Sequence, residues 1–231
     1  MIEFIDSPSP NFSERQLPVS MLVLHYTGMR EADEAIAWLR NPQSQVSCHY
    51  LVTEDGQVLR MVDEDKRAWH AGRSSWRGIK DVNSASIGIE IVNPGHEFGY
   101  RPFAEPQMDI LVPLVADIVK RHAIRPPYVV GHSDVAPARK EDPGELFDWA
   151  RLAKLGLAMP RPTRNLMDPL WTDGGFLLAL ERYGYDVAKP EAAVTAFQRR
   201  FRPEHIDGVI DGECRAILLG LLLDRRSAPP K

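Results

Sequence analysis

The chain has 231 residues, with 28 Lys+Arg against 32 Asp+Glu for a formal charge of −4, and is 44% hydrophobic and 26% charged. That balance supports a real core in one large domain, or in a medium domain with a small companion, and excludes extended disorder as the main state. It carries no basic footprint for nucleic acid, and Cys48 and Cys214 lie too far apart to build a small disulfide scaffold.

Residues 1–20 mix charges with Pro8, Pro10 and Pro18 and contain no apolar core of signal-peptide length. The expectation is a cytoplasmic protein, with a periplasmic or cell-envelope location as the alternative for a chain cut back from a longer one. Short β-type runs at 21–24, 50–53, 58–62, 87–92 and 128–130 alternate with helical patterns at 31–40, 105–122 and 144–155. This alternation predicts a mixed α/β sheet covered by helices. Glu54-Asp55-Gly56, between two of the runs, predicts a hairpin. Within 105–122, Met108, Leu111, Val112, Val115, Ile118 and Val119 recur at steps of three and four, giving one apolar face for the sheet.

Three prolines within 157–171 mark a connector, so the expected organisation is a first domain over 1–156, a linker over 157–169 and a second domain over 170–231. The second part reads as helices only. Phe176, Leu177, Leu180 and Tyr183 form one stripe, and Val194, Phe197 and Phe201 follow Pro190 at a first helical turn. Asp211 is the expected N-cap of a third helix carrying Cys214, Ile217, Leu218, Leu221 and Leu222. The predicted class is α/β, a mixed β-sheet flanked by helices and followed by a small three-helix bundle domain. The longest apolar run, 217–223, is interrupted by Gly220, so no membrane span is expected.

Two histidines stand where strands end. His25 follows Met21-Leu22-Val23-Leu24 and His132 follows Tyr128-Val129-Val130-Gly131. Ligands of open α/β sheets bind beyond the carboxyl ends of strands, so these imidazoles are candidates for one metal, although a hydrogen-bonded, partly buried histidine is the commoner fate of either alone. Asp142 lies in a carboxylate-rich loop long enough to return to the same point, which makes two His and one carboxylate with a position left for water. Asp134 is the competing carboxylate, better placed to cap or brace the loop. Glu90 interrupts the strand Ile87-Gly88-Ile89-Glu90-Ile91-Val92, where alternation sets it opposite the isoleucines. A carboxylate there is either an edge group facing solvent or a general base raised in pKa by burial, and the second reading is preferred. Lys140, two residues before Asp142, suits an oxyanion-stabilising cation, and a solvated loop lysine is the alternative.

Five blocks in order turn this constellation into a resemblance: L-H-Y-T-G at 24–28, S-C-H-Y-L-V at 47–52, W-H-A-G at 69–72, N-S-A-S-I-G-I-E-I-V at 83–92 and G-H-S-D-V-A-P-A-R-K-E-D-P-G at 131–144. The chain resembles the zinc-dependent N-acetylmuramoyl-L-alanine amidase family, the type 2 amidases. The resemblance implies a single Zn2+ on His25, His132 and Asp142, Glu90 as catalytic glutamate and Lys140 as the oxyanion-side lysine. It further implies hydrolysis of the amide between N-acetylmuramic acid, including its 1,6-anhydro form, and the L-alanine of peptidoglycan stem peptides, in cell-wall turnover or recycling. Peptidoglycan fragments or muropeptides are the expected partners. His70, Asn83 and Trp76 are expected to contact substrate, and His49 to be scaffold.

Two departures matter. Phage lysozyme-type amidases carry a catalytic tyrosine where this chain has Cys48, so the base role falls on Glu90; they use a cysteine ligand where it has Asp142. Cys48 is expected to be a buried, unreactive thiol. The second part resembles a small peptidoglycan-binding helical module through G-Y-D at 184–186, A-V-T-A-F-Q-R-R-F at 193–201 and I-D-G-V-I-D at 206–211. Two rivals stand beside the amidase: a non-catalytic peptidoglycan-recognition protein, and a zinc peptidase cutting within the stem peptide.

Overall fold

The computed structural model describes residues 2–163 and 167–227, so residues 164–166 of the expected linker and 228–231 of the expected second domain lie outside the described residues. The strands in chain order are β1 (Phe4–Asp6), β2 (Phe12–Glu14), β3 (Met21–Tyr26), β4 (Tyr50–Val52), β5 (Val58–Arg60), β6 (Lys66–Ala68), β7 (Ser86–Ile91) and β8 (Val129–Gly131). The helices are α1 (Ala32–Arg40), α2 (Val82–Ala85), α3 (Gly95–Phe98), α4 (Glu105–Arg121), α5 (His132–Val135), α6 (Trp149–Lys154), α7 (Asp173–Tyr183), α8 (Pro190–Phe201) and α9 (Gly212–Leu223).

Six strands form a mixed sheet in the order β1-β5-β4-β7-β3-β8, and β2 pairs with β6 in a separate antiparallel ribbon. Only β4 and β5 are antiparallel in the large sheet, joined by the expected turn at Glu54-Asp55-Gly56. The continuous apolar run of β3 is buried almost throughout, as a central parallel strand covered on both faces must be. One face carries Leu22, Leu24, Ile87, Ile89 and Ile91, which pack on Met108, Leu111, Leu114, Val115 and Ile118 of α4. The helical period of α4 and the strand period of β7 thus meet as the sequence predicts.

The opposite face decides where the C-terminal helices lie. Met21, Val23 and Val130 share one buried cluster with Phe176 and Leu180 of α7, Phe197 of α8 and Leu218 of α9, with Trp76 among them. Thr172 caps α7 through the Gly175 N–H, Asp211 caps α9 through the Cys214 N–H, and Pro190 opens α8. Ala158 and Met159, within the connector, are themselves buried. No helix among the described residues is long and apolar enough to cross a membrane.

Three short strands, β1, β2 and β6, have no counterpart in the predicted runs. Their side chains are mostly exposed or half-buried, so no hydrophobic alternation marks them.

Candidate metal centre and active-site cleft

Parallel pairing in register aligns the carboxyl ends of the central strands. His25 of β3 is the register partner of Glu90 of β7, and neighbours in register project to the same face. On the other side of β3, Leu24 pairs with Gly131, the last residue of β8. His132 was expected at the strand's end and is instead the first residue of α5. The chain turns there because Asp134 Oδ2 accepts the Gly131 N–H at 2.8 Å, closing a turn the strand cannot continue. The loop beyond α5 folds back, held by the Ser133 N–H donating to Asp142 O at 2.8 Å.

The result is a triangle of ligand atoms. His25 Nδ1 lies 3.0 Å from His132 Nδ1 and 3.0 Å from Asp142 Oδ2, and His132 Nδ1 lies 3.1 Å from that oxygen. These edges approach the ~3.3 Å expected for tetrahedral ligands on bonds of about 2.0 Å. All three residues are buried, and they form the one His/Cys/Asp/Glu group among the described residues that is able to hold a metal. Burial, together with the neighbouring His132, holds the His25 imidazole down at about 4. Burial works to raise the Asp142 carboxyl, but the two imidazoles against it, His132 foremost, outweigh burial and keep it well below the carboxylate range. A neutral imidazole and an ionised carboxylate are the forms in which these groups bind metals.

The far ring nitrogens fix the tautomers. His132 Nε2 donates to Ala71 O at 3.1 Å, leaving Nδ1 as the lone-pair atom. His25 Nε2 is 3.0 Å from His70 Nδ1, and His70 Nε2 is 3.2 Å from Ser86 Oγ, whose hydroxyl donates to Val82 O. Ser86 Oγ therefore accepts from His70 Nε2, His70 Nδ1 accepts from His25 Nε2, and His25 Nδ1 is left facing the centre as an acceptor. A Cβ at Gly88 would overlap the His70 ring, which explains a glycine on the strand face shared with Glu90.

Glu90 borders the cleft, so part of its surface is accessible, yet its Oε2 is buried and has no hydrogen-bond partner among the described residues. Burial, and then the Asp142 charge, push its carboxyl well above the usual value, with Lys140 opposing. The cleft has a volume of about 330 Å³; Glu90, Lys140, His70, His132 and Asp142 border it on one side and Trp38 and Trp69 on another. The Lys140 ammonium has no ion-pair partner among the described residues. Asp134, the competing carboxylate, stands outside the triangle: its Oδ1 accepts the Tyr185 hydroxyl at 2.5 Å and its other oxygen the Gly131 N–H.

Two expected substrate contacts lie elsewhere. Trp76 is 2% exposed, packs edge-on against Tyr183 and Tyr185, and donates from Nε1 to Pro127 O at 2.9 Å. Its large apolar ring is drawn into the aromatic core under α7, away from the cleft. Asn83 is buried behind His70, where its Oδ1 accepts the N–H groups of His70 and Ala71 at 3.1 and 2.7 Å. Those buried N–H groups need an acceptor, and Asn83 supplies it. His70 does border the cleft, but its ring nitrogens are both engaged in the relay to His25. His49 is scaffold: its Nδ1 accepts the Gly88 N–H at 2.9 Å. Cys48 is a free, buried thiol whose pKa burial raises further. The relay of His70 and Ser86 and the Ala71 O that holds His132 went unpredicted; the W-H-A-G and N-S-A-S-I-G-I-E-I-V blocks were their sequence signals.

A family model described as N-acetylmuramoyl-L-alanine amidase matches residues 15–145. The chain is 39% identical over 232 residues to N-acetylmuramoyl-L-alanine amidase AmiD of Escherichia coli (strain K12), an alignment covering 88% of this chain and 82% of the relative. It is 33% identical over 163 residues to 1,6-anhydro-N-acetylmuramyl-L-alanine amidase AmpD of Haemophilus influenzae, covering 62% and 86%. Its fold is similar to the solved complex of AmiD from E. coli with anhydro-N-acetylmuramic acid-L-Ala-D-gamma-Glu-L-Lys, at a TM-score of 0.82 and 33% identity, over 94% of this chain and 99% of that one.

Proposed function

Because this chain belongs to the N-acetylmuramoyl-L-alanine amidase family, we propose that it hydrolyses the amide between N-acetylmuramic acid, its 1,6-anhydro form included, and the L-alanine of peptidoglycan stem peptides, with zinc as its ion. The observation that carries the reading is the buried, unpartnered Oε2 of Glu90 beside the triangle of His25, His132 and Asp142 in one cleft. A structural carboxylate would be paired at that depth; a general base must keep an oxygen free for water.

His25 Nδ1, His132 Nδ1 and Asp142 Oδ2 would hold the ion. The donor set of two imidazoles and one carboxylate fits zinc, which when bound supplies Lewis-acid polarisation of the scissile carbonyl and an acidified water. Glu90 Oε2 takes the proton of the attacking water and delivers it to the departing L-alanine amine. Its raised pKa matters here, because an ordinary carboxylate is too weak a base at neutral pH. Lys140, at the cleft's edge and without an ion-pair partner among the described residues, offsets the negative charge developing on the carbonyl oxygen. In the stem peptide the second residue is a γ-linked D-glutamate, whose α-carboxylate stays free one residue beyond the bond that breaks.

Incubation of the zinc-loaded protein with an anhydro-muropeptide, followed by mass spectrometry, tests this. The expected products are anhydro-N-acetylmuramic acid and the intact peptide. Chelation should abolish their release and added zinc restore it. Unchanged substrate mass would support the recognition-protein rival, and a cut inside the peptide would support the peptidase.

A further inference from the structure

A second groove leaves the metal centre toward the C-terminal helices. Loop 137–142 forms one wall and α8 the other, with Tyr26 at the inner end, and the volume is about 670 Å³. Tyr26, Lys140 and Asp142 border both this groove and the cleft of the metal centre. Around the same loop lies a further hollow of about 610 Å³, which shares Arg139 and Lys189 with the groove and adds Arg73 and Lys80.

Charge is unevenly spread here. The chain as a whole carries −4, yet cations crowd the two sides of this loop. Arg199 is already engaged, 3.5 Å from both Glu141 and Glu145, and Arg139 donates to Ala71 O and Arg73 O. Lys140, Lys189, Lys80 and Arg73 have no ion-pair partner among the described residues. Of the carboxylates on the α8 wall, Glu191 remains, while Asp186 on the neighbouring hollow accepts the Ala188 N–H. Lys189 is exposed and occupies the N-cap position of α8, where no side chain caps the first-turn N–H groups, so its ammonium adds to the positive end of a twelve-residue helix. The groove begins at the bond-breaking centre and carries uncommitted positive charge, which is what an anionic continuation of the substrate requires.

We propose that the groove between loop 137–142 and α8 receives the stem peptide beyond L-alanine, and that Lys189 is a specificity residue binding the free α-carboxylate of the γ-linked glutamate. The inference rests on the amidase reading above. It gives the C-terminal helices a direct part in substrate selection, through a residue outside the 15–145 segment that the family model matches.

The test compares two substrates on the zinc-loaded full chain: anhydro-N-acetylmuramyl-L-Ala-D-γ-Glu-L-Lys, and the same molecule with the glutamate α-carboxyl converted to amide. The parent should show a KM about three- to tenfold lower for the acid, as one charge-assisted contact at an exposed site provides, with similar kcat for both. Lys189→Ala should abolish the difference and Lys189→Glu invert it, with zinc content and circular dichroism matching the parent as evidence of an intact centre. Lys120→Glu, on α4 and outside both grooves, applies the same charge change and should leave the ratio alone. Equal KM values in the parent, or a preference that survives Lys189→Ala, overturn the assignment while the amidase reading stands. Hydrolysis of neither substrate overturns that reading and the assignment with it.

Discussion

Glu90 and Arg202 are both ionisable side chains with polar atoms buried in the protein, one at the sheet's end and one among the C-terminal helices, and their surroundings differ in kind. Arg202 is fully buried but donates from Nε to His205 O at 3.0 Å, from Nη2 to Asp207 at 3.2 Å and from Nη1 to Asp211. Nearby, Gln198 satisfies its amide completely: Oε1 accepts the N–H groups of Asp207 and Gly208, and Nε2 donates to Asp207 and Val209 O. Glu90 Oε2 has no partner among the described residues. Other side-chain nitrogens lack hydrogen bonds, but those of Arg77 and Arg200 belong to guanidinium groups lying over aromatic rings, and Arg199 Nε sits beside Glu145. Burial of charge therefore does not by itself mark a site; a buried charge left uncompensated at a cleft does.

The sharpest way to break this contrast is Glu90→Gln, which keeps the shape and removes the base. It should lower kcat by about 10³-fold, within the range of general-base catalysis, with zinc content unchanged by metal analysis. Retained turnover would make the orphaned oxygen a structural accident. Arg202→Met should do the opposite, costing about 2 kcal/mol in urea unfolding because it removes charge-assisted hydrogen bonds to Asp207 and Asp211, while kcat of the folded fraction stays at the parent value. Tyr185→Phe falls between them. It leaves Asp134 one donor short, so about 1 kcal/mol of stability should be lost. Zinc affinity in a competition titration should fall with it, since Asp134 holds the turn that presents His132.

A last, smaller effect concerns pH. In the metal-free protein the Glu90 carboxyl is raised above its ordinary value of 4.5, so the unfolded state loses that proton first as pH rises and the native state is penalised. Its favourable contribution is complete below 4.5 and is lost as pH climbs through the raised folded value. Glu90→Gln should accordingly unfold at higher urea than the parent at pH 8, and the gap should close as pH falls toward 4.5. A gap constant with pH would mean that Glu90 is not strained by burial.

Much of the centre is legible in the sequence. His25 and Glu90 stood out because a polar group in a period-2 apolar run must be paired or used, and His132 and Asp142 because a short loop brings a carboxylate back to a strand's end. The apolar face of α4 was equally visible, since six residues at helical spacing leave few other arrangements. Trp76 was misplaced for an opposite reason. A lone indole suits a cleft and a core alike, and its position was set by Tyr183 and Tyr185, more than a hundred residues later in the chain.

From the sequence alone came the element periods, the strand ends and the chemistry of the donor set, because these depend on neighbours within a few residues. The tertiary structure alone decided which oxygen stays unpartnered, which nitrogens His70 occupies, and that α8 walls a groove at the metal centre. Those outcomes turn on distances between segments far apart in the chain, Tyr185 to Asp134 and Lys189 to loop 137–142 among them. Local propensity does not encode such distances; they follow from packing α7–α9 against the second face of the sheet.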